Sequence, residues 1–414
     1  MNNQSKIQNL KSKIAIVGAG PAGASLAIRL AKANFEVCLI EREKFPREKL
    51  CGEFVSPECL PHFQALDVLD EMLAVGGDRV TQTIFYEPDG KSVTVASAWF
   101  GADLQGALSI SRAEMDFRLL EKAKASGVEV LEETAAIGLL FDEDKVCGVK
   151  AKNKTGDAFE ISAALTIDAT GRANVLGKLA EKDKLRITNY ELRNEIQNPK
   201  SKIQNRLVGF KTHLENVALE KGRCEIYFFR GGYGGLSNVE NNLANHCFLI
   251  KAETVKEFNS DVEQILEKVI FQNKRARETL ENAKPVYEWL AVSVDGFGVK
   301  NLNPAPRLVA VGDAAAFIDP FTGSGMLMAM ESAEILSNAV AENFPAMEKI
   351  AENYQILYEQ KFRRRLRVCS LLRRAALRTS FAKYVISVLG FSEKARQILA
   401  RATRAAESPK KIKS

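Results

Sequence analysis

The sequence predicts an α/β protein in which a parallel sheet is joined to an interleaved β-rich second domain and closed by a helical C-terminus. Three observations predict it. A buried strand at Lys13–Val17 runs through a glycine-rich turn into a helix at Ala22–Ala33, and a second strand follows at Glu36–Ile40. Short β segments then crowd residues 128–161 and again 207–250 and 286–294, with a helical stretch at Asp261–Phe271 between the last two. From Gly325 onward the apolar spacing is almost continuously helical.

The bulk properties bound the answer. At 414 residues the chain is long enough for two or three packed units, and 27% charged with 46% hydrophobic residues is ordinary globular composition rather than disorder or a multi-span membrane protein. Seven scattered cysteines and three histidines give no C-x-x-C pair, which argues against a disulfide framework and a structural zinc. Met1–Lys13 lacks the apolar core of a secretory signal, so the expected location is cytoplasmic. Ile14–Ala31 is the one long apolar window, and Gly18, Gly20, Pro21, Gly23 and Arg29 break it as a strand, turn and helix rather than a bilayer span.

In chain order, residues 12–78, 100–180 and 290–345 read as one discontinuous nucleotide-binding domain. Within it, Glu114–Ser126 carries a helical stripe of Met115, Leu119, Leu120 and Ala123, and strands are expected at Val128–Leu131, Ala135–Phe141, Val146–Lys152, Phe159–Ile161 and Leu308–Val311. Residues 79–99 with 181–289 read as a substrate domain, and 346–414 as a basic helical region. The polar stretch 189–206 reads as a surface insertion; it repeats at 196–203 a short peptide already met at 7–14.

Gly18-Ala19-Gly20-Pro21-Ala22-Gly23 follows a strand and opens a helix, the context that gives a G-x-G-x-x-G pattern its meaning. The first glycine makes the turn, the second lets backbone approach a pyrophosphate, the third lets helix and strand pack, and the helix N-terminus favours the anion. Glu41 ends the next strand where a carboxylate can bond an adenosine ribose and would repel a 2′-phosphate, with Arg42 beside it. FAD and NAD both remain open at this point.

Further along, a buried strand leads into Gly312-Asp313-Ala314-Ala315 and then Asp319-Pro320-Phe321-Thr322-Gly323-Ser324-Gly325, which opens a helix. With Ser111-Arg112-Ala113-Glu114, Asp168-Ala169-Thr170-Gly171 and Lys49-Leu50-Cys51-Gly52, this set resembles the FAD-dependent oxidoreductases of the p-hydroxybenzoate hydroxylase fold, most closely the geranylgeranyl reductase family, over roughly residues 12–345. The resemblance implies a Rossmann-type FAD-binding domain. It implies Gly18, Gly20, Ala22, Gly23, Glu41, Arg42, Arg112, Gly312, Asp313, Pro320, Gly323 and Gly325 as FAD-binding residues, with Asp313 on the ribityl chain and Pro320, Gly323 and Gly325 along the isoalloxazine. Thr170 stands where the aromatic hydroxylases carry Asp, which favours the reductase side. No catalytic residue is assigned; Cys51 and Tyr233 are the candidates. Cys51 reads as a reactive thiol or a small packing residue, with no basic neighbour nearer than Lys49 evident, and Glu53 and Glu58 read as surface or hydrogen-bonding carboxylates.

The substrate side is less specified. Cys224–Phe229 is an aromatic strand leading through Arg230 into the glycine-rich Gly231-Gly232-Tyr233-Gly234-Gly235, where prenyl-reducing relatives carry a Tyr-x-Trp-x-Phe-Pro motif; only the Gly-Tyr core survives. The reading that leads is hydride transfer at flavin N5 to or from an apolar small molecule, a prenyl or polyketide-type double bond among them. An NAD(P)H-dependent flavin monooxygenase stands second, with NADH or NADPH a transient reductant in either case. A flavin halogenase ranks lower, because Trp99 and Trp289 are isolated. A membrane-associated flavin electron carrier is the non-enzyme alternative. The net charge of +6 hides a division, since residues 361–414 hold 16 Lys and Arg against Glu393 and Glu407 alone. On a helix Arg363, Arg367, Arg374 and Arg378 share one side and Phe362, Leu366, Cys369 and Leu377 another, so the segment reads first as a solvated face packed on an acidic body and second as a peripheral contact with an anionic membrane. Sparse aromatic interleaving argues against nucleic acid.

Overall fold

The structure, a computed structural model, describes residues 10–11, 14–100, 106–187, 206–376, 386–387 and 389–403. The strand start at Lys13, the expected insertion at 189–205 with its copy of the short peptide, and the basic positions Arg378, Lys383 and 404–414 lie outside them.

Five parallel strands form the first sheet, in the order Leu308–Ala310, Leu165–Asp168, Ile14–Val17, Val37–Ile40, Glu129–Leu131. The three central strands are buried at every position, as a sheet covered on both faces requires. Ile14, Ile16, Val37 and Leu39 point to a core shared with the helices Pro21–Lys32, Arg112–Ala125 and Gly325–Asn343. Ala15, Val17, Cys38 and Ile40 point the other way, where the cover is largely an antiparallel layer of Thr134–Asp142, Lys145–Asn153 and Ala158–Ser162. Ser111 starts the Arg112–Ala125 helix by accepting from the Glu114 N–H at 3.2 Å, which satisfies one of its free donors.

The second, eight-stranded sheet takes Gln82–Tyr86 and Ser92–Ala96 from early in the chain and the rest from residues 207–294. Leu207–Glu215, Ala244–Lys251, Gly232–Asn238 and Arg223–Phe229 pair antiparallel in turn, and Arg223–Phe229 then pairs parallel to Gln82–Tyr86. The aromatic run Tyr227, Phe228 and Phe229 is buried on both faces, where an ordinary half-buried strand would have exposed one. Asp261 caps the helix Val262–Lys268, so the expected helix begins one residue later and ends sooner, passing into a short 3-10 turn at Ile270–Gln272.

His246 lies within this sheet with its Nδ1 against the Gly235 carbonyl at 3.2 Å. Burial pushes its pKa down to about 4. The folded protein therefore holds a neutral imidazole while the unfolded chain binds a proton below about pH 6.5, so stability is full above that pH and falls as pH drops toward 4, by up to about 3 kcal/mol. Urea unfolding at pH 7 and pH 4.5 should show this loss in the parent and a smaller one in His246→Asn.

Met347–Ala376 is a 30-residue helix whose apolar side, Tyr354, Tyr358, Phe362 and Cys369, enters the core of the parallel-sheet unit. The Tyr354 hydroxyl donates to the Ala310 carbonyl at the edge strand, 3.0 Å away. The basic side divides in two: Arg363, Arg364 and Arg367 are exposed, while Arg365 is buried against Glu331 of the preceding helix. Beyond it, Ile386 and Leu389 pack with Phe228, Tyr233 and Leu249 of the large sheet, and Ser324 donates to the Thr403 carbonyl at 3.2 Å. Among the described residues no helix is long and apolar enough to cross a membrane.

Candidate active site

The turn Gly18–Gly23 is shaped by two different demands. Gly18 has φ +104, and a Cβ there would stand 2.4 Å from the Ala169 carbonyl oxygen; a Cβ on Gly23 would stand 1.9 Å from the oxygen of Gly18. Both glycines are needed by the fold. Gly20 is different: its φ of −70 suits any residue, and a Cβ there would meet only an Arg112 nitrogen at 3.9 Å. The space in front of Gly20 is open, which is what backbone approach by a pyrophosphate requires. Gly312, with φ +61, would press a Cβ to 2.7 Å from that of Ala22, so the Gly312–Asp313 turn sits against the start of the same helix.

Glu41 is buried and its two oxygens accept from the N–H groups of Ala19, at 2.8 Å, and Glu43, at 3.1 Å. It holds the turn as well as facing it. Arg42 is exposed and pairs with Glu43 at 3.2 Å, so the structure leaves it at the rim.

Arg112 is not the exposed helix-start charge that its position allowed; it is buried and makes a fork to Asp116 one turn on, with Nε to Oδ1 at 2.9 Å and Nη2 to Oδ2 at 2.7 Å. Arg47 reaches the same carboxylate at 3.1 Å. The Cys51 thiol is among the groups that hold the buried Arg112 guanidinium in its charged form, so the expectation that Cys51 has no basic neighbour closer than Lys49 is corrected: the neighbour comes from a helix 61 positions along the chain. Partial burial and the charges of Arg47, Arg112 and Arg42 lower the Lys49 ammonium, opposed by Glu41. Burial raises the Asp313 carboxyl, against the pull of Arg172, Arg112, Lys300 and Lys49.

These cations converge on a site where Glu41 is committed to backbone N–H groups and Asp116 to Arg112 and Arg47, while Lys49, Arg172 and Lys300 add further positive charge. That excess of positive charge, the open face of Gly20 and the N-terminus of Pro21–Lys32 together fit a dinucleotide pyrophosphate. Gly325 begins its helix with no atom closer than 3.8 Å to a hypothetical Cβ, and Gly323, at φ +60, ends the turn Pro320–Thr322. Room at a helix N-terminus suits a flat ring that gains negative charge on reduction.

The loop before it is pinned from the large sheet. Tyr233 donates its hydroxyl to Asp319 Oδ1 at 2.6 Å, and the same oxygen accepts from the Phe321 N–H at 2.9 Å. Burial and the Asp319 charge raise the Tyr233 phenol well above its ordinary value, so it stays a donor and holds the loop rather than supplying a proton base. Around it Phe85, Phe228 and Phe321 form an aromatic cluster with centroids 5.1–6.5 Å apart. Sequence reasoning missed Asp116, although its spacing of four from Arg112 on one helix is a signal that could have found it, and Arg47, whose partner Asp116 lies 69 positions along the chain where nothing local marks it.

The chain is also similar to known proteins. A family model described as FAD binding domain matches residues 11–356. The chain is 28% identical over 352 residues to the digeranylgeranylglycerophospholipid reductase of Methanosarcina acetivorans, covering 84% of this chain and 80% of that protein. It is 25% identical to the tryptophan 2-halogenase of Chondromyces crocatus, covering 85% of this chain and 66% of that protein. Among solved structures, a geranylgeranyl bacteriochlorophyll reductase-like protein from Thermoplasma acidophilum superposes with a TM-score of 0.71 at 18% identity, covering 96% of this chain and 97% of that one.

Proposed function

The chain belongs to the FAD binding domain family and is an FAD-dependent oxidoreductase; from that premise we propose that it transfers hydride between flavin and an apolar small molecule, with a carbon–carbon double bond of a prenyl-type chain as the preferred substrate. The observation that carries the substrate class is the cluster of Phe85, Phe228, Tyr233 and Phe321 beside the Asp319–Gly325 turn, where the one polar group, the Tyr233 hydroxyl, is spent on holding Asp319. Similarity to a protein named digeranylgeranylglycerophospholipid reductase supports the same reading.

In this reading Gly18, Gly20, Ala22 and Gly23 with the helix behind them hold the pyrophosphate, Arg112 with Arg47 and Lys49 neutralises it, Glu41 and Arg42 lie at the ribose end, and Gly312, Asp313, Pro320, Gly323 and Gly325 line the rest. Bound FAD supplies a two-electron hydride store, and the protein contributes orientation and the exclusion of water. Cys51, half-buried and beside the Arg112 guanidinium, is the side chain we assign to proton exchange on the substrate side. NADH or NADPH would act as a transient reductant.

Reconstitution with FAD, anaerobic reduction by NADH, NADPH or dithionite, and mixing with a polyprenyl lipid or with oxygen tests the proposal. Flavin reoxidation by the lipid, with a product heavier by two hydrogens, is expected. An oxygen-dependent hydroxylated product with no reoxidation by the alkene would replace the reductase by a monooxygenase.

A further inference from the structure

A second cluster of charges lies where the two sheets meet. Glu53, fully buried and held at φ +53, ends the segment that contains Cys51. Its Oε1 accepts from the backbone N–H of Arg112 at 2.8 Å and from the Lys211 ammonium at 2.6 Å, and its Oε2 meets His213 Nε2 at 2.7 Å. Lys211 and His213 are alternate residues of the strand Leu207–Glu215, both buried, on one face of the large sheet. Glu48, at the exposed rim, reaches the same lysine. Sequence reasoning left Glu53 as a surface or hydrogen-bonding carboxylate; it is the second, with no surface left to it.

Glu48, Glu53 and His213 have the composition of a metal site. The ammonium of Lys211 already supplies the positive charge between the two carboxylates, so the group is a closed ion network. Burial acts to raise the Glu53 carboxyl, and the hydrogen bonds and charges of His213 and Lys211 outweigh it, so it is held below its ordinary value as an anion. A buried anion with a left-handed backbone is costly unless its surroundings fix it, and here the carboxylate is fixed by groups from two elements, the start of the Arg112–Ala125 helix and the strand Leu207–Glu215.

Glu53 thereby joins its own segment, which presents Cys51, to the helix that presents Arg112. The Glu53 N–H lies 3.4 Å from the Cys51 sulfur, its carbonyl accepts from Ile110 N and Ser109 Oγ, and its carboxylate receives the first N–H of the Arg112 helix. Asn245 of the large sheet adds a bond to the Cys51 carbonyl at 3.1 Å. We propose that Glu53 is a positioning residue, which through Lys211 and His213 sets Cys51 and Arg112 against bound FAD and ties that placement to the large sheet. This rests on the reading that FAD binds at the Gly18–Gly23 turn.

The test uses full-length protein reconstituted with FAD, comparing the parent with Glu53→Gln, Glu48→Gln and the double variant Glu53→Gln with Lys211→Met. Glu53→Gln is expected to weaken FAD binding at least tenfold, to shift the flavin absorption band, and to raise the flavin midpoint potential, because the lysine charge is then unbalanced and favours the reduced, more anionic ring. Glu48→Gln should change affinity less than threefold. Should the single variant not fold, the double variant removes both charges together and is expected to fold with weakened FAD binding and a shifted band. Parent-like affinity, spectrum and potential in a variant that has only a lower melting temperature would overturn the positioning role. A parent that takes up no FAD would overturn the functional reading instead.

Discussion

Gly20→Ala is expected to yield a protein that folds like its parent and carries no flavin. The added methyl meets only an Arg112 nitrogen at 3.9 Å, an ordinary van der Waals contact, and φ of −70 at that position strains no residue, so stability should change by less than about 0.5 kcal/mol. The same methyl stands in the space that a pyrophosphate must enter, and FAD affinity should fall at least about 100-fold, or about 2.8 kcal/mol. Gly18→Ala is the contrast, since it places Cβ 2.4 Å from a backbone oxygen at φ +104 and should cost more than about 3 kcal/mol of stability before any ligand is considered. Urea unfolding of the apoproteins, with the 450 nm to 280 nm absorbance ratio after reconstitution, separates the two. Equal flavin content in Gly20→Ala and the parent would remove the turn from the binding site.

Arg112→Met should damage both stability and binding, and the two losses can be told apart. Asp116 is fully buried and would keep Arg47 but lose the two-bond fork, so unfolding free energy should fall by about 3 kcal/mol, the low end for a broken buried pair. Arg112→Met with Asp116→Leu removes the buried carboxylate as well, leaving Arg47 to Glu41 at 4.0 Å, and should regain part of that stability, yet still bind FAD at least tenfold more weakly than the parent. Chemical denaturation and flavin titration of both variants check this. Full FAD affinity in the double variant would assign Arg112 to the fold alone.

What could be read from the sequence was what is local. The turn at Gly18–Gly23, the acid at Glu41 and the Gly312–Asp313 turn each announce themselves within a few residues, because a strand, a tight turn and a helix start leave adjacent marks. The parallel strands were legible for the same reason, as short continuous apolar runs. Arg112 was marked as a candidate, and its fork to Asp116 lies at i,i+4 spacing within one helix, but its placement beside Cys51 and Arg47 depends on how that helix is set against a distant segment. The Glu53 network was invisible: its partners Lys211 and His213 are 158 and 160 positions away and resemble polar residues on the exposed face of a strand. The basic C-terminal run showed the converse problem, since Arg365 sits in it as one charge among many and is buried against Glu331, while its neighbours Arg363 and Arg364 face water.

The parallel sheet has a bearing on how the molecule is made. Its strand Leu165–Asp168 waits for a neighbour, Leu308–Ala310, that leaves the ribosome some 140 residues later, after the whole of the large sheet has been synthesised. Until then one flank of Leu165–Asp168 is an unpaired edge, and the Gly312–Asp313 turn that would close the dinucleotide site does not yet exist. Synthesis at about 5–20 residues per second turns that interval into roughly 7–28 s of exposure. The cofactor site is therefore a late product of translation, and the nascent chain needs shelter for the edge before it can need flavin.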